Sequence, residues 1–389
     1  MPTPYTEEHD LFRKQVRAFA EKEIAPHVEE WERDRTFPNW VFKKAGELGI
    51  TGAHYPEEVG GGGGDYWYSV VKSEELVRCE AAGVTMALLV QSDMATPCIN
   101  ELGTREQKEE FLRPALAGDR IAALGVSEPG AGSDVAGIRT TARLEGDEYV
   151  IDGSKTYITN GTRADFVTLL AKTKPDAGYG GISILLFPTD VKGFGVSKKL
   201  EKIGNHSSDP AELFFDGCRI PKRYLLGEEN KGFYYLMQNF QSERLIGSTS
   251  ALAGARRALD RSVAYGRERQ AFGKPIMTRE VWKHTFADLY TKAQAAHALC
   301  YDAVGDFNQE RYVKKSEISF ETVKKIAMCK LFVGDVTSEI MDTCLQFHGG
   351  MGYLEELWVA RAWRDQRLFR IGGGTSEVMK YMIAKIMGW

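Results

Sequence analysis

The hydrophobic pattern of this 389-residue chain changes its period twice, and no other feature constrains the fold as strongly. Up to about residue 121, apolar residues such as Leu11 and Val16 recur at helical spacing. From about 122 to 230 the period is two, and short strands follow one another with no helix between them. Helical spacing then returns. The pattern predicts an α+β protein with an N-terminal helical domain (residues 1–121), a middle β domain (122–230) and a C-terminal helical domain (231–389).

The middle region is predicted to form an antiparallel sheet or a small barrel, because its strands are joined by turns. Its predicted strands are Thr140–Leu144, Tyr149–Ile151, Phe166–Ala171, Ile182–Phe187 and Leu213–Phe215. The predicted helices of the C-terminal region are 233–265, 279–309, 320–347, 357–368 and 376–387.

Charge and composition exclude several classes of function. The 50 Lys and Arg residues nearly balance 54 Asp and Glu, so the chain lacks the basic character of a nucleic-acid-binding protein. It has no apolar stretch of about 18 residues, the length a membrane-spanning helix needs. The six cysteines are scattered without a CxxC pair, which predicts neither a metal site nor a disulfide framework. The N-terminus shows no targeting segment, so we expect a cytoplasmic protein.

Glycine-rich segments interrupt the pattern at two places before the strands begin. Five consecutive glycines follow Val59, and we interpret Tyr55–Asp65 as a mobile loop; a phosphate-binding loop is less favoured because no Lys-Ser/Thr follows. The turn at Leu124–Asp134 contains Gly130 and Gly132, which allow positive φ and a close approach of backbone amides to a ligand. A tight connection between domains explains this turn equally well.

Later segments carry residues suited to a planar, anionic cofactor. Tyr157 and Thr159 are expected on one face of a strand, with Ile158 on the other, so an aromatic ring and a hydroxyl can cover a heterocycle. From these residues alone an ordinary cross-strand pair is favoured instead. Glycine-rich breaks at 346–353 and 370–377 open helices whose N-termini suit a diphosphate, although glycine after a helix is most often a C-cap.

Together these segments resemble the paired signatures of the acyl-CoA dehydrogenase family. The signatures are Gly125–Asp134 and Gln346–Tyr353, the second followed by Glu356, Arg361 and Asp365. The resemblance continues through Tyr55-Pro-Glu-Glu, 157–161, 269–273 and the Gly-Thr-Ser-Glu ending at residue 377, and so covers essentially the whole chain. It implies the family fold, in which a helical domain, an antiparallel β-barrel-like domain and a C-terminal four-helix bundle follow one another.

The resemblance also implies an FAD enzyme that oxidises an acyl-CoA thioester to the trans-2-enoyl-CoA. A Glu base removes the α-proton, the β-hydrogen leaves as hydride to flavin N5, and an electron-transferring flavoprotein accepts the electrons. A homotetramer, built as a dimer of dimers, is implied. The residues expected near FAD are Leu124, Val126, Ser127, Gly132, Ser133, Tyr157, Ile158, Thr159, Arg269, Phe272, Gln346, Gly349, Gly350, Thr375 and Glu377. Those expected near the acyl-CoA are Ser133, Gln241, Arg244, Gly373 and Gly374.

The catalytic base is expected at Glu243. Many family members place this carboxylate in a turn before the last helix, but that position is Gly373 here. A smaller group, which includes isovaleryl-CoA and long-chain dehydrogenases, places it on the first helix of the C-terminal domain, where Glu243 shares a face with apolar and small residues. A simple ion pair with a neighbouring arginine is the structural alternative, and Glu377 and Asp342 are weaker candidates for the base.

Some residues depart from the family pattern, and others narrow the expected class of substrate. Tyr157 stands where Trp is common, Arg279-Glu280 replaces a Phe-Gln pair and Ala271 lacks the hydroxyl of some relatives. The base position at Glu243, with Gly373, resembles that of isovaleryl-type members and favours a branched or longer acyl chain. Segments 91–98 and 207–214 also resemble bacterial citronellyl-CoA dehydrogenases. We therefore expect a branched, terpenoid or medium to long acyl chain. An acyl-CoA oxidase-type flavoenzyme and a non-catalytic flavoprotein assembly partner are the alternative functions. A nicotinamide-dependent dehydrogenase is disfavoured because no GxGxxG unit joins a strand to a helix.

Overall fold

The N-terminal region is helical in the computed structural model, which describes residues 4–389. Short π-helical and 3₁₀ turns join its α-helices. The side chains of Thr6 and Thr104 cap the first and seventh helices, each in a reciprocal capping box. The helices are α1 (Glu7–Ala18), α2 (Val28–Asp34), α3 (Trp40–Glu47), α4 (Tyr66–Leu76), α5 (Ala82–Leu89), α6 (Pro97–Leu102), α7 (Arg105–Gln107) and α8 (Arg113–Leu116).

The five-glycine segment forms neither helix nor strand, as predicted, but it is not a mobile loop. Its backbone N–H groups donate to carbonyl oxygens of residues 52–57, with Gly63 N 2.8 Å from Tyr55 O and Gly64 N 3.0 Å from Ala53 O. A Cβ at Gly61 would stand 2.1 Å from Tyr55 O, so only glycine permits this approach. The expectation of mobility is wrong because these backbone hydrogen bonds hold the glycine segment against the residues that precede it.

The middle region forms one mixed sheet of eight strands. The strands are β1 (Ala122–Gly125), β2 (Thr141–Glu145), β3 (Glu148–Ile158), β4 (Phe166–Lys172), β5 (Ile182–Pro188), β6 (Phe194–Lys199), β7 (Ala211–Pro221) and β8 (Leu225–Leu226). They lie in the order β6-β7-β3-β2-β4-β5-β8, and β1 pairs with β4. The five predicted strands are confirmed. β1, β6 and β8 were missed because they are short or, in β6, mostly exposed and without an apolar alternation.

Two details of the sheet differ from the sequence prediction. β4 pairs in parallel with both β1 and β2, although the other strand pairs of this sheet are antiparallel. The sheet is not closed within residues 4–389, because β6 and β8 end the strand order and do not pair with each other. The region is therefore barrel-like only in its two antiparallel runs, β6-β7-β3-β2 and β4-β5-β8, which the parallel pair of β2 and β4 joins.

The C-terminal region is a bundle of long helices, and every helix predicted there is confirmed. The elements are α9 (Gly232–Glu268), the hairpin strands β9 (Gln270–Ala271) and β10 (Lys274–Pro275), α10 (Glu280–Asn308), α11 (Phe320–Phe347), α12 (Trp358–Gln366) and α13 (Ser376–Met387). No helix in the described part of the chain is both long and apolar enough to span a membrane.

Apolar cores cross the predicted domain boundaries. One core runs from Phe12 of α1 through the sheet to Ile246 of α9, and Tyr66 of α4 packs instead into the core of the C-terminal helices. The family signature residues add polar ties, since Arg361 Nη1 lies 3.0 Å from Glu29 Oε1 and Asn205 N donates to Asp365 Oδ1 at 2.5 Å. The division at residues 121 and 230 stays a prediction.

A buried ion pair stabilises the N-terminal helices where they meet α9. Lys72 Nζ lies 2.8 Å from Asp93 Oδ2, and each side chain is 1% exposed. Lys72 Nζ also donates to Ser92 Oγ at 2.9 Å. Next along the chain, Met94 O accepts a hydrogen bond of 2.9 Å from Asn239 Nδ2 of α9. The segment that carries Asp93 therefore contacts α9 about one turn before Glu243.

We expect Lys72→Met to destabilise the protein by about 3–5 kcal/mol, because it leaves the Asp93 carboxylate buried without its cation. The double variant Lys72→Met/Asp93→Leu should recover much of this loss. Thermal unfolding of the full-length protein measures both. A single variant that melts with the wild type, or above the double variant, contradicts the expectation.

Candidate active site

α9 and the turn before α13 bring Glu243 and Gly373 into contact. A Cβ built at Gly373 would stand 3.1 Å from Glu243 Oε1. Glu243 Oε2 is buried and has no hydrogen-bond partner among residues 4–389. Burial raises the pKa of the Glu243 carboxyl, against the opposing charges of Arg244 and Lys330. A buried carboxylate with a free lone pair and a raised pKa has the properties of a general base.

Arg244 does not neutralise Glu243 through a direct ion pair. Arg244 Nε donates to Gly373 O at 3.3 Å, and its Nη1 lies 3.4 Å from Gln241 Oε1. No ion pair within 4.0 Å joins Glu243 to any cation of the described residues. The structural alternative for Glu243 is therefore wrong. Four of the five residues expected near the acyl-CoA meet around the glycine turn: Gln241, Arg244, Gly373 and Gly374.

The two weaker candidates for the base lie in different environments. Asp342 of α11 is exposed and accepts a hydrogen bond of 3.1 Å from Trp363 Nε1. Glu377 is exposed in the first turn of α13. Thr375, expected near the cofactor, caps that helix by accepting from Val378 N at 3.3 Å. Neither carboxylate shares the buried setting of Glu243.

The glycine-rich turn after β1 is held in place by a buried ion pair that the sequence reading missed. Lys155 Nζ of β3 donates to Glu128 Oε1 at 2.8 Å and to Val126 O at 3.0 Å. Glu128 also accepts from the backbone N–H groups of Arg139 (2.6 Å) and Thr140 (3.0 Å). Burial lowers the pKa of Lys155 to about 8, against the charge of Glu128. The lysine therefore stays protonated at neutral pH.

The expected role of Gly130 and Gly132 in this turn is wrong in one respect, since neither has a positive φ. A Cβ at either position would meet nothing within 4 Å. Reciprocal backbone bonds between Glu128 and Ala131, of 2.9 and 3.1 Å, set the turn instead. The open space beside both glycines lets a ligand approach the backbone, as the sequence predicted.

Tyr157 is placed differently from the regular strand face that the sequence suggested. Its φ is +62°, at a register shift between Lys155 and Ile158 in the pairing of β3 with β7. The Tyr157 side chain is 72% exposed, whereas Ile158 is buried in the core. Thr159 lies beyond the strand end, in a turn. The favoured cross-strand pair is therefore wrong, and the aromatic ring is free to cover a ligand.

The 124–134 turn and the Tyr157 segment form one surface suited to the planar cofactor that the family resemblance implies. Thr156 N donates to Ser127 O at 2.9 Å, which joins the two segments. The backbone N–H groups of Ser127, Ser133 and Thr159 make no backbone hydrogen bond within residues 4–389. Leu124 is partly exposed and Val126 is buried beside these donors. Free donors beside an exposed aromatic ring fit the edge and face of a flavin.

The remaining predicted cofactor residues lie on other elements of the chain. Phe272, 96% exposed, has a φ of +53° in the β9–β10 hairpin, where Arg279 Nη2 donates to Ala271 O at 3.0 Å. Arg269 is exposed next to it. Gln346, Gly349 and Gly350 are exposed at the end of α11. No hydrogen bond joins these residues to the 124–134 turn in the described part of the chain.

Lys330 is a site residue that sequence reasoning missed, and its signal was present. Ile326, Lys330, Val333 and Thr337 recur at spacings of four, three and four, so a lysine occupies the apolar face of α11. The side chain is only 4% exposed.

No group of three or more His, Cys, Asp or Glu side chains within residues 4–389 is placed to hold a metal ion.

Comparisons with known proteins agree with this geometry. Three family models match: the acyl-CoA dehydrogenase N-terminal domain at residues 6–119, the middle domain at 123–218 and the C-terminal domain at 230–388. The mitochondrial long-chain specific acyl-CoA dehydrogenase of Rattus norvegicus is 37% identical over 383 residues, which are 98% of this chain and 86% of that protein. The chain therefore belongs to the acyl-CoA dehydrogenase family.

Two solved structures are informative about the cofactor and its surroundings. A glutaryl-CoA dehydrogenase from Mycobacterium smegmatis, in complex with FADH2, is 27% identical with a TM-score of 0.90, covering 98% of this chain and 95% of that one. A chain in the structure of the electron transferring flavoprotein of Acidaminococcus fermentans is 34% identical with a TM-score of 0.93, covering 100% of this chain and 99% of that one. The cofactor of the family is FAD, and this protein is an oxidoreductase that acts on acyl-CoA.

We expect Gly373→Ala to slow flavin reduction by substrate roughly tenfold or more, a barrier increase of about 1.4 kcal/mol. The new Cβ would stand 3.1 Å from Glu243 Oε1, and the alanine would have to adopt a φ of +64°. Anaerobic stopped-flow absorbance measures the rate. Gly388→Ala is the matched control, since its φ of +76° imposes similar strain with nothing within 4 Å. Equal rates in the two variants would contradict the role of the contact.

We expect Lys155→Met to weaken FAD binding roughly tenfold or more, about 1.4 kcal/mol. The substitution leaves Glu128 buried without its cation and frees the turn that carries Ser127. Titration of apoprotein with FAD, followed by flavin fluorescence, gives the dissociation constant. Wild-type affinity in this variant would show that the ion pair does not hold the cofactor turn.

Proposed function

We propose that this acyl-CoA dehydrogenase forms the trans-2-enoyl-CoA with Glu243 as the base that removes the α-proton. The observation that carries the proposal is the buried, unpartnered Oε2 of Glu243 beside a residue without a side chain. The carboxylate lies against the glycine turn, beside which we expect the thioester to bind. Its raised pKa strengthens it as a proton acceptor.

The residues around the reacting carbons have separate roles in binding and proton transfer. When bound, FAD supplies the acceptor for the β-hydrogen, which leaves as hydride. Tyr157 and the free N–H groups of Ser127 and Thr159 would hold its ring, while Glu243 takes the α-proton onto a carboxylate oxygen. Arg244 fixes the glycine turn through Gly373 O. Because Oε2 is buried, bulk water does not reach that oxygen.

The substrate we propose is an acyl-CoA with a branched, terpenoid or medium to long chain. Support comes from the position of the proposed base on α9, which the family resemblance shares with isovaleryl-CoA and long-chain dehydrogenases, and from the likeness to a long-chain specific relative. Ser133 is exposed at the end of the cofactor turn, where it can meet the CoA portion.

The electron acceptor and assembly belong to the same proposal. The likeness to a chain in an electron transferring flavoprotein structure supports such a protein as the acceptor. The exposed residues Arg269, Phe272, Gln346, Gly349 and Gly350 would reach the FAD of a neighbouring subunit in a homotetramer built as a dimer of dimers. A cytoplasmic location stays a prediction.

We expect Glu243→Gln to lower the rate of substrate-driven flavin reduction about 10²–10⁴-fold while FAD stays bound. The amide keeps the shape of the side chain but cannot accept the proton. Anaerobic mixing with short, branched, terpenoid and long acyl-CoAs measures the rate and ranks the substrates. Glu339→Gln, an exposed carboxylate of α11 paired with Lys292, is the matched control.

Three results would overturn the proposal. Near-normal flavin reduction in Glu243→Gln would show that another group is the base. Rapid reoxidation of the reduced wild-type enzyme by air, with release of peroxide, would favour an acyl-CoA oxidase over a dehydrogenase. Purification of a protein that takes up no FAD would favour the non-catalytic assembly partner.

A further inference from the structure

Lys330 of α11 reaches the glycine turn that faces the proposed base. Its Nζ donates to Gly374 O at 2.6 Å and to Phe369 O at 3.1 Å, the two ends of the turn. The same ammonium lies 4.9 Å from the centre of the Phe369 ring. Lys330 therefore joins the two ends of the turn through hydrogen bonds.

The same side chain lies next to the Glu243 carboxylate. From the point where a Cβ would stand at Gly373, Lys330 Cε is 3.6 Å away and Glu243 Oε1 is 3.1 Å away. The ammonium of Lys330 has only carbonyl oxygens as hydrogen-bond acceptors, so its charge is not cancelled by a direct ion pair in the described residues. An uncancelled cation this close favours the ionised form of a carboxyl group.

The other charges around Lys330 and Glu243 do not replace it. Arg244 on α9 faces both groups, but its guanidinium is directed at Gly373 O and Gln241. On the turn, Arg370 pairs with Asp335 of α11 at 3.1 Å, and both are partly exposed. Burial depresses the pKa of Lys330 to about 8, with Arg244 adding to the effect and Glu243 opposing it. Lys330 therefore carries its charge at neutral pH.

We propose that Lys330 is a positioning residue of the reaction: it fixes the glycine turn opposite Glu243 and, by its charge, keeps that carboxylate ionised at neutral pH. The inference rests on the proposed role of Glu243 as the base. Burial alone would leave a larger fraction of the Glu243 carboxyl protonated and unable to accept a proton. The charge of Lys330 keeps more of this carboxyl ionised, while burial keeps it a strong base. Lys330 touches no reacting atom in this account and acts through Glu243 and the turn.

The test is the pH dependence of flavin reduction by acyl-CoA in the holoenzyme. On the acid side the rate falls as the base becomes protonated. Removing the nearby cation raises the pKa of that base, so in Lys330→Met the acid limb should move up by about one pH unit. Lys330→Arg keeps the charge and should keep the limb near the wild-type pH. Lys324→Met, which removes a cation of α11 paired with Glu321, is the control.

A structural role alone gives a different result. Loss of turn anchoring would lower the rate at every pH without moving the limb, and that outcome in Lys330→Met would overturn the proposal. If Lys330→Met does not fold, Lys330→Gln removes the charge while keeping an N–H donor, and an unmoved limb in that variant decides against the proposal equally.

The Glu243→Gln variant separates this inference from the proposed function. Loss of flavin reduction in Glu243→Gln, together with an unmoved limb in the Lys330 variants, leaves the base in place and rejects only the role of Lys330. Normal reduction in Glu243→Gln rejects both, because the lysine then has no base to act on.

Discussion

The site depends on one constraint, the burial of the Glu243 carboxylate against a backbone turn that has no side chain at Gly373. Burying a carboxylate is costly unless the surroundings compensate it. Here the compensation is indirect: two cations, from α9 and α11, donate to carbonyl groups of the turn instead of to the carboxylate itself. The charge of the site is therefore balanced while one oxygen of Glu243 stays free to accept a proton.

The cofactor surface follows the same principle of indirect support. Tyr157 is exposed, and the backbone N–H groups of Ser127 and Thr159 make no backbone hydrogen bond within residues 4–389. Rigidity comes from behind them, where Lys155 and Glu128 join β3 to the turn in a buried ion pair. A bound cofactor then meets groups whose positions are set without it. Such preorganisation reduces the cost of ordering on binding.

Periodicity predicted the helices of the C-terminal region and the central strands of the sheet, because long elements with one apolar face carry a strong repeated signal. Short or exposed strands such as β6 gave no such signal. The proposed base was predictable from Glu243 on an apolar helix face and the glycine at 373. Lys330 broke the same apolar pattern and was overlooked, while Glu128 and Lys155 meet only through the pairing of distant segments. The left-handed φ of Tyr157 depends on tertiary register, which a sequence does not display.

Proton removal at Cα is the central claim, and it can be followed without complete turnover. The measurement is deuterium incorporation at Cα of an acyl-CoA held with the FAD-loaded enzyme in D₂O, without an electron acceptor. The account predicts incorporation with the wild-type protein and none with Glu243→Gln, although both bind FAD and acyl-CoA. Incorporation at the wild-type rate in Glu243→Gln would contradict the account, because the proton would then leave through another group.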